Sequence, residues 1–101
     1  MKTRFEWDPA KAKSNIKKHG VNFEIATRVF VDPFAQARQD RTENGECRLQ
    51  TLGVVNGYLL LVIAHTVRED EEGTEVIRII SARRAEPKER KRYEENSPLR
   101  G

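Results

Sequence analysis

The sequence predicts an α+β domain: an antiparallel sheet with two N-terminal helices and one C-terminal helix, the helices gathered on one side. Three stretches carry that expectation. Asp8-Pro9 to Gly20 is a helix with its own start and stop residues. Asn56-Gly57 stands between two apolar runs and marks a hairpin. Glu75 to Arg84 sets branched aliphatics among cations and leads to a helix opened by Pro87.

Taken in order, Arg4-Phe5-Glu6-Trp7 alternates as a short first strand. Asp8 caps the first helix, Pro9 opens it, and Gly20 supplies its left-handed end. Its apolar stripe, Ala12 and Ile16, is thin, which predicts a surface helix. Lys11 and Lys18 share a face, and Lys17, Lys18 and His19 fall in the last turn, where cations suit the helix dipole. Asn22 caps a second helix whose apolar face is Phe23, Ala26, Val29 and Phe30, and Asp32-Pro33 ends it. A short polar strand from Phe34 to Gln39 and an exposed loop from Asp40 to Gly45 follow.

From Cys47 the pattern is β. Cys47 to Val55 and Tyr58 to Thr66 flank Asn56-Gly57. A two-residue turn there makes Val55 face Tyr58. It also puts Arg48 opposite His65, on the face that carries Gln50, Leu52, Leu61 and Ile63. An acidic turn from Val67 to Thr74 leads to the strand Val76 to Ala82, then to the Pro87 helix and a tail from Asn96 expected to fray.

A chain of 101 residues suits one domain, 1–101, with a modest core. Hydrophobic residues make up 37% and charged residues 35%, which is not a disordered composition. The net charge of +3 is small, so the placement of the cations matters more than their sum. A single cysteine, Cys47, has no partner for an internal disulfide, in keeping with a reducing compartment. No apolar run is long enough to cross a bilayer, and the expectation is a soluble cytoplasmic protein.

The two histidines are far apart, and no HxxH, CxxC, glycine-rich phosphate loop or nucleophile elbow occurs. No metal or cofactor is therefore expected. What remains is His65, Arg48, Arg68, Arg78, Arg83, Arg84 and Tyr93, an inventory suited to metal-free phosphodiester cleavage. His65 reads equally as a proton carrier and as a hydrogen-bonded structural histidine. Arg83 and Arg84 suit a phosphate, yet they also have Glu86 and Glu89 as sequence neighbours. Tyr93 and Trp7 read first as packing residues.

Several phrases then occur together: Phe5-Glu-Trp-Asp-Pro9, Asn15, Lys18-His19-Gly20-Val21 with Phe23, and Asp32-Pro33. Further on come Gly45-Glu46 with Arg48, His65-Thr66 with Arg68, Ile77-Arg-Ile-Ile-Ser-Ala-Arg83, Glu89-Arg90 and Tyr93-Glu94. In this combination the chain resembles, over residues 4–95, the BrnT toxins of bacterial type II toxin-antitoxin pairs. The resemblance implies a RelE-like fold and a ribonuclease that arrests translation. It also implies neutralisation by a BrnA-like antitoxin, a ribbon-helix-helix protein through which alone the pair would meet operator DNA. Carried over with it as candidate catalytic residues are His65, Arg68, Arg83 and Tyr93, then Lys18, Glu46 and Arg48. The acidic turn Glu69–Gly73 is a departure from the family pattern.

The expected chemistry is attack by the RNA's own 2′-hydroxyl, with His65 moving the proton, Arg83 clamping the phosphate and Arg68 behind it. The other reading is a non-catalytic module that binds nucleic acid or a protein partner. The basic surface predicts an acidic or amphipathic antitoxin segment over it, bound in a salt-dependent way.

Overall fold

The computed structural model describes residues 2–43 and 45–96. The elements run β1 (Thr3–Glu6), α1 (Pro9–His19), α2 (Phe23–Ala26), a 3-10 turn (Thr27–Val31), β2 (Gln36–Glu43), β3 (Glu46–Val55), β4 (Leu59–Glu69), β5 (Glu75–Arg84) and α3 (Pro87–Glu95). The predicted α+β order of strands and helices is the observed one. The tail beyond Asn96 lies outside the described residues.

The five strands form one sheet in the order β1-β5-β4-β3-β2. All neighbours are antiparallel except β1, which lies parallel to β5 from Thr3↔Glu75 to Glu6↔Arg78. The helices do not share one side. α1, α2 and the 3-10 turn bury Phe23, Ala26 and Val29 against Val55, Leu61, Ile63, Ile77, Ile79 and Ala82. α3 lies on the opposite face, where Tyr93 meets Leu52, Leu60 and Val62. Both faces of β4 are thereby covered, which is why its run from Leu60 to Ile63 is apolar throughout.

Local signals place α1 as read. Asp8 Oδ1 accepts the Ala10 amide at 2.9 Å, and Gly20 closes the helix at φ 70°. Asn22 likewise caps α2, with the Ile25 amide at 2.7 Å from its Oδ1. The α-helix then tightens to a 3-10 turn, so the second helix is shorter than its apolar spacing suggests. Gly53 explains how closely that turn approaches the sheet: a Cβ there would lie 2.8 Å from Val29 Cγ1.

α1 is tied to the sheet by one buried side chain. Asn15 Nδ2 donates to the Val21 carbonyl at 2.9 Å and to the Ala82 carbonyl at 2.8 Å, while its Oδ1 accepts the Ala82 amide at 3.1 Å. β1 pairs with β5 only as far as Arg78, so Asn15 satisfies at Ala82 the backbone groups that a longer β1 would have met.

Two expectations about the hairpins are overturned. The segment from Asp40 to Glu43 belongs to β2 and pairs with β3 as far as Glu43↔Glu46. Asn56 and Gly57 do turn with φ of 55° and 78°, but Val55 pairs with Leu59, so the connection is one residue longer than expected. That single residue inverts the strand, because side chains alternate with a period of two. Arg48 consequently faces Thr66, and His65 faces Leu49 on the other side of the sheet. The predicted Arg48–His65 pair does not exist.

Candidate active site

The register lines up one row across the whole sheet on the α3 side. Glu6 on β1 pairs with Arg78 on β5, Arg78 with Thr66 on β4, Thr66 with Arg48 on β3, and Arg48 with Arg41 on β2. α3 covers only the far half of this face, over Leu52, Leu60 and Val62. Beyond it the sheet is open and carries guanidinium groups. An open cleft of about 420 Å³ is lined there by Glu6, Glu46, Cys47, Thr66, Arg68 and Arg78, among others.

Glu6 organises the cations. Its Oε1 accepts from Arg68 Nη2 at 3.1 Å and its Oε2 from Arg78 Nη1 at 3.1 Å. The guanidinium groups are about half exposed, 52% for Arg68 and 45% for Arg78. Such pairs add little to folding but hold two donors in a fixed orientation. Arg48, one strand over, makes no hydrogen bond or ion pair among the described residues. The acidic turn does not compete for Arg68. Asp70 Oδ1 accepts the amides of Glu72 and Thr74, each at 2.9 Å, and its carboxylate lies 3.9 Å from Arg4.

Of the candidates read from sequence, the fold thus gathers Glu46, Arg48 and Arg68. It sets the other four elsewhere. His65 is 2% exposed on the α1 side, with Nε2 2.7 Å from Thr51 Oγ1 and its ring edge-on to Phe30 at 4.8 Å. Among the described residues its Nδ1 has no hydrogen-bond partner. Burial drives its pKa down to about 4, against a smaller opposing effect of the Thr66 backbone, so the ring is neutral near pH 7. The structural reading of His65 is the one its surroundings favour.

Arg83 sits at the other end of the same face, beneath the first turn of α3. Its Nη1 and Nη2 grip the two oxygens of Glu89 at 2.8 Å each. This fork raises the Arg83 pKa and lowers that of Glu89 to about 2, and Glu89 Oε1 also accepts the Glu86 amide at 2.8 Å. Tyr93 is 6% exposed and donates to Asp32 Oδ2 at 2.6 Å, which fastens α3 to the turn before β2. Lys18 belongs to a different cleft, beside α1.

Sequence reasoning left Glu6 out of the site and kept Arg78 only in the wider inventory of basic side chains. Each had a signal: a charged residue within an alternating apolar strand, Glu6 between Phe5 and Trp7, Arg78 between Ile77 and Ile79. Among the described residues no three of His, Cys, Asp and Glu come together as a set that could hold a metal ion. No helix among them is long and apolar enough to cross a membrane.

A small α+β domain with an arginine-lined cleft on an open sheet face is suited to a polyanion. The sequence model of a family described as "Ribonuclease toxin, BrnT, of type II toxin-antitoxin system" matches residues 7–89, and the chain belongs to that family. The fold is similar to the 1.1 Å crystal structure of the Brucella abortus ribonuclease toxin, BrnT, with a TM-score of 0.58 and 24% identity over 85% of this chain and 99% of that one. No curated protein matches the chain.

Proposed function

We propose that this ribonuclease toxin cleaves RNA without a metal ion, in the cleft on the α3 side of the sheet, with residues 1–101 acting as one toxin domain. The observation that carries the reading is the convergence of Glu46, Arg68 and Arg78 from three strands in the lining of that cleft, with Arg48 paired to Thr66 on the same sheet face. The Glu46 carboxylate takes the proton from the 2′-hydroxyl, which attacks the adjacent phosphorus as the bond to the 5′-oxygen breaks, and the departing 5′-oxygen takes a proton from water. Arg48, which makes no hydrogen bond or ion pair among the described residues, and the Arg68–Arg78 pair oriented by Glu6 stabilise the charge on the phosphorane. Thr66 between them offers a neutral hydroxyl.

In this assignment His65, Arg83 and Tyr93 act through the framework. The cellular consequence is arrest of translation, relieved when a BrnA-like antitoxin covers the basic face. RNA digested by the purified toxin should carry 2′,3′-cyclic phosphate and 5′-hydroxyl ends, at the same rate with and without EDTA. Activity lost in EDTA and restored by Mg²⁺ would overturn the metal-free chemistry.

A further inference from the structure

A second cleft, of about 210 Å³, lies between α1 and the free part of β5. Lys11, Ser14, Lys18 and His19 line it from the helix and Ser81 from the strand, and no carboxylate is among its lining residues. Lys11 and Lys18 are two turns apart, about 10 Å along the helix, and make no ion pair among the described residues. The helix dipole accounts equally for Lys17, Lys18 and His19 in the last turn, but Lys17 is outside the cleft and Lys11 is in the first turn. The dipole therefore does not explain this grouping.

The cleft owes its form to two features of the fold. Asn15 spends its amide on Ala82 and Val21, which holds α1 against β5. Ala64 pairs with Ser81 while His65 pairs with Ile79, leaving Ile80 as an extra residue in β5. The bulge returns Ser81 to the sheet face that carries Arg78. Three residues of strand, about 10 Å, separate Arg78 in the first cleft from Ser81 in the second.

We infer that the α1–β5 cleft is a second phosphate-binding site, in which Lys11 and Lys18 hold the backbone of single-stranded RNA that continues from the sheet-face cleft. The inference rests on the ribonuclease reading. Cations with hydroxyls and no compensating carboxylate suit a phosphodiester better than a base. The role is binding, remote from the reacting phosphate.

The test uses a 2′-O-methyl RNA oligonucleotide, which cannot be cleaved, with binding followed by fluorescence anisotropy over a range of salt. The Lys11→Ala/Lys18→Ala protein should bind roughly tenfold more weakly, and its log Kd against log salt slope should fall by about 0.7 per lost phosphate contact. Lys11→Arg/Lys18→Arg should bind as wild type does. Lys13→Ala/Lys17→Ala removes the same charge from outside the cleft and should have a smaller effect. Equal losses in the two alanine pairs, or no loss in the first, would overturn the site while leaving the ribonuclease reading intact. A Lys11/Lys18 effect confined to antitoxin affinity would assign the cleft to that partner and also overturn it. Wild-type protein that binds no RNA would overturn both.

Discussion

Arg83 holds both carboxylate oxygens of Glu89 at 2.8 Å, and this fork is the polar tie between the end of β5 and α3. The pair is only partly shielded, with side chains 32% and 15% exposed. A double-mutant cycle of Arg83→Ala and Glu89→Gln should give a coupling on the order of 1 kcal/mol after allowance for solvent screening. Arg83→Ala should lower the urea midpoint and leave RNA cleavage nearly unchanged at temperatures where the protein stays folded. Strong loss of cleavage without loss of stability would return Arg83 to the phosphate.

Arg48 should behave in the opposite way. Arg48→Ala removes a guanidinium that has no partner among the described residues, so its unfolding midpoint should match wild type, while the cleavage rate falls about a hundredfold. Glu46→Gln should cause a loss of similar size with the stability retained. Single-turnover cleavage of one RNA by both variants, beside urea titrations, checks this. Full activity of folded Glu46→Gln would remove Glu46 as the base.

His65 makes stability depend on pH. Its pKa is about 4 in the folded protein, against 6.5 as the ordinary value. Between those values the unfolded chain binds the proton and the folded protein does not, so stability rises with pH across that window. Acidification from about pH 6.5 should lose up to about 1.4 kcal/mol per pH unit, fading near pH 4, with no contribution above the window. Urea midpoints at pH 7 and pH 5 for wild type and His65→Leu measure it. An unchanged difference between the two pH values in the mutant would show that another group carries the effect.

Asn15 is 5% exposed and satisfies three backbone groups at Val21 and Ala82. Asn15→Ala should cost on the order of 3 kcal/mol, because buried partners are left without hydrogen bonds. Lys13→Ala, on an exposed position of the same helix, should stay within about 0.5 kcal/mol of wild type. Thermal unfolding of the two variants makes the comparison.

Much of the architecture was legible because it rests on short-range chemistry. Asp8, Pro9, Gly20 and Asn22 mark helix ends through their own backbone and side-chain preferences, and those ends stand where they were read. The strands of β3, β4 and β5 announced themselves by branched aliphatics around Asn56-Gly57. Which family the chain belongs to was legible too, from phrases spread from Phe5 to Glu94.

The membership of the site was decided by tertiary structure. One extra residue in the β3–β4 connection moved every side chain of one strand to the other face, and turn sequence alone does not set that count. His65 and Arg48 parted for this reason, the histidine into the α1-side core and the arginine onto the open face. The parallel seat of β1 beside β5 then delivered Glu6 to Arg68 and Arg78 across more than sixty residues of chain. Caps and strands depend on neighbours within a few positions. A cleft depends on which faces meet, and that is settled only when the whole sheet has closed its register.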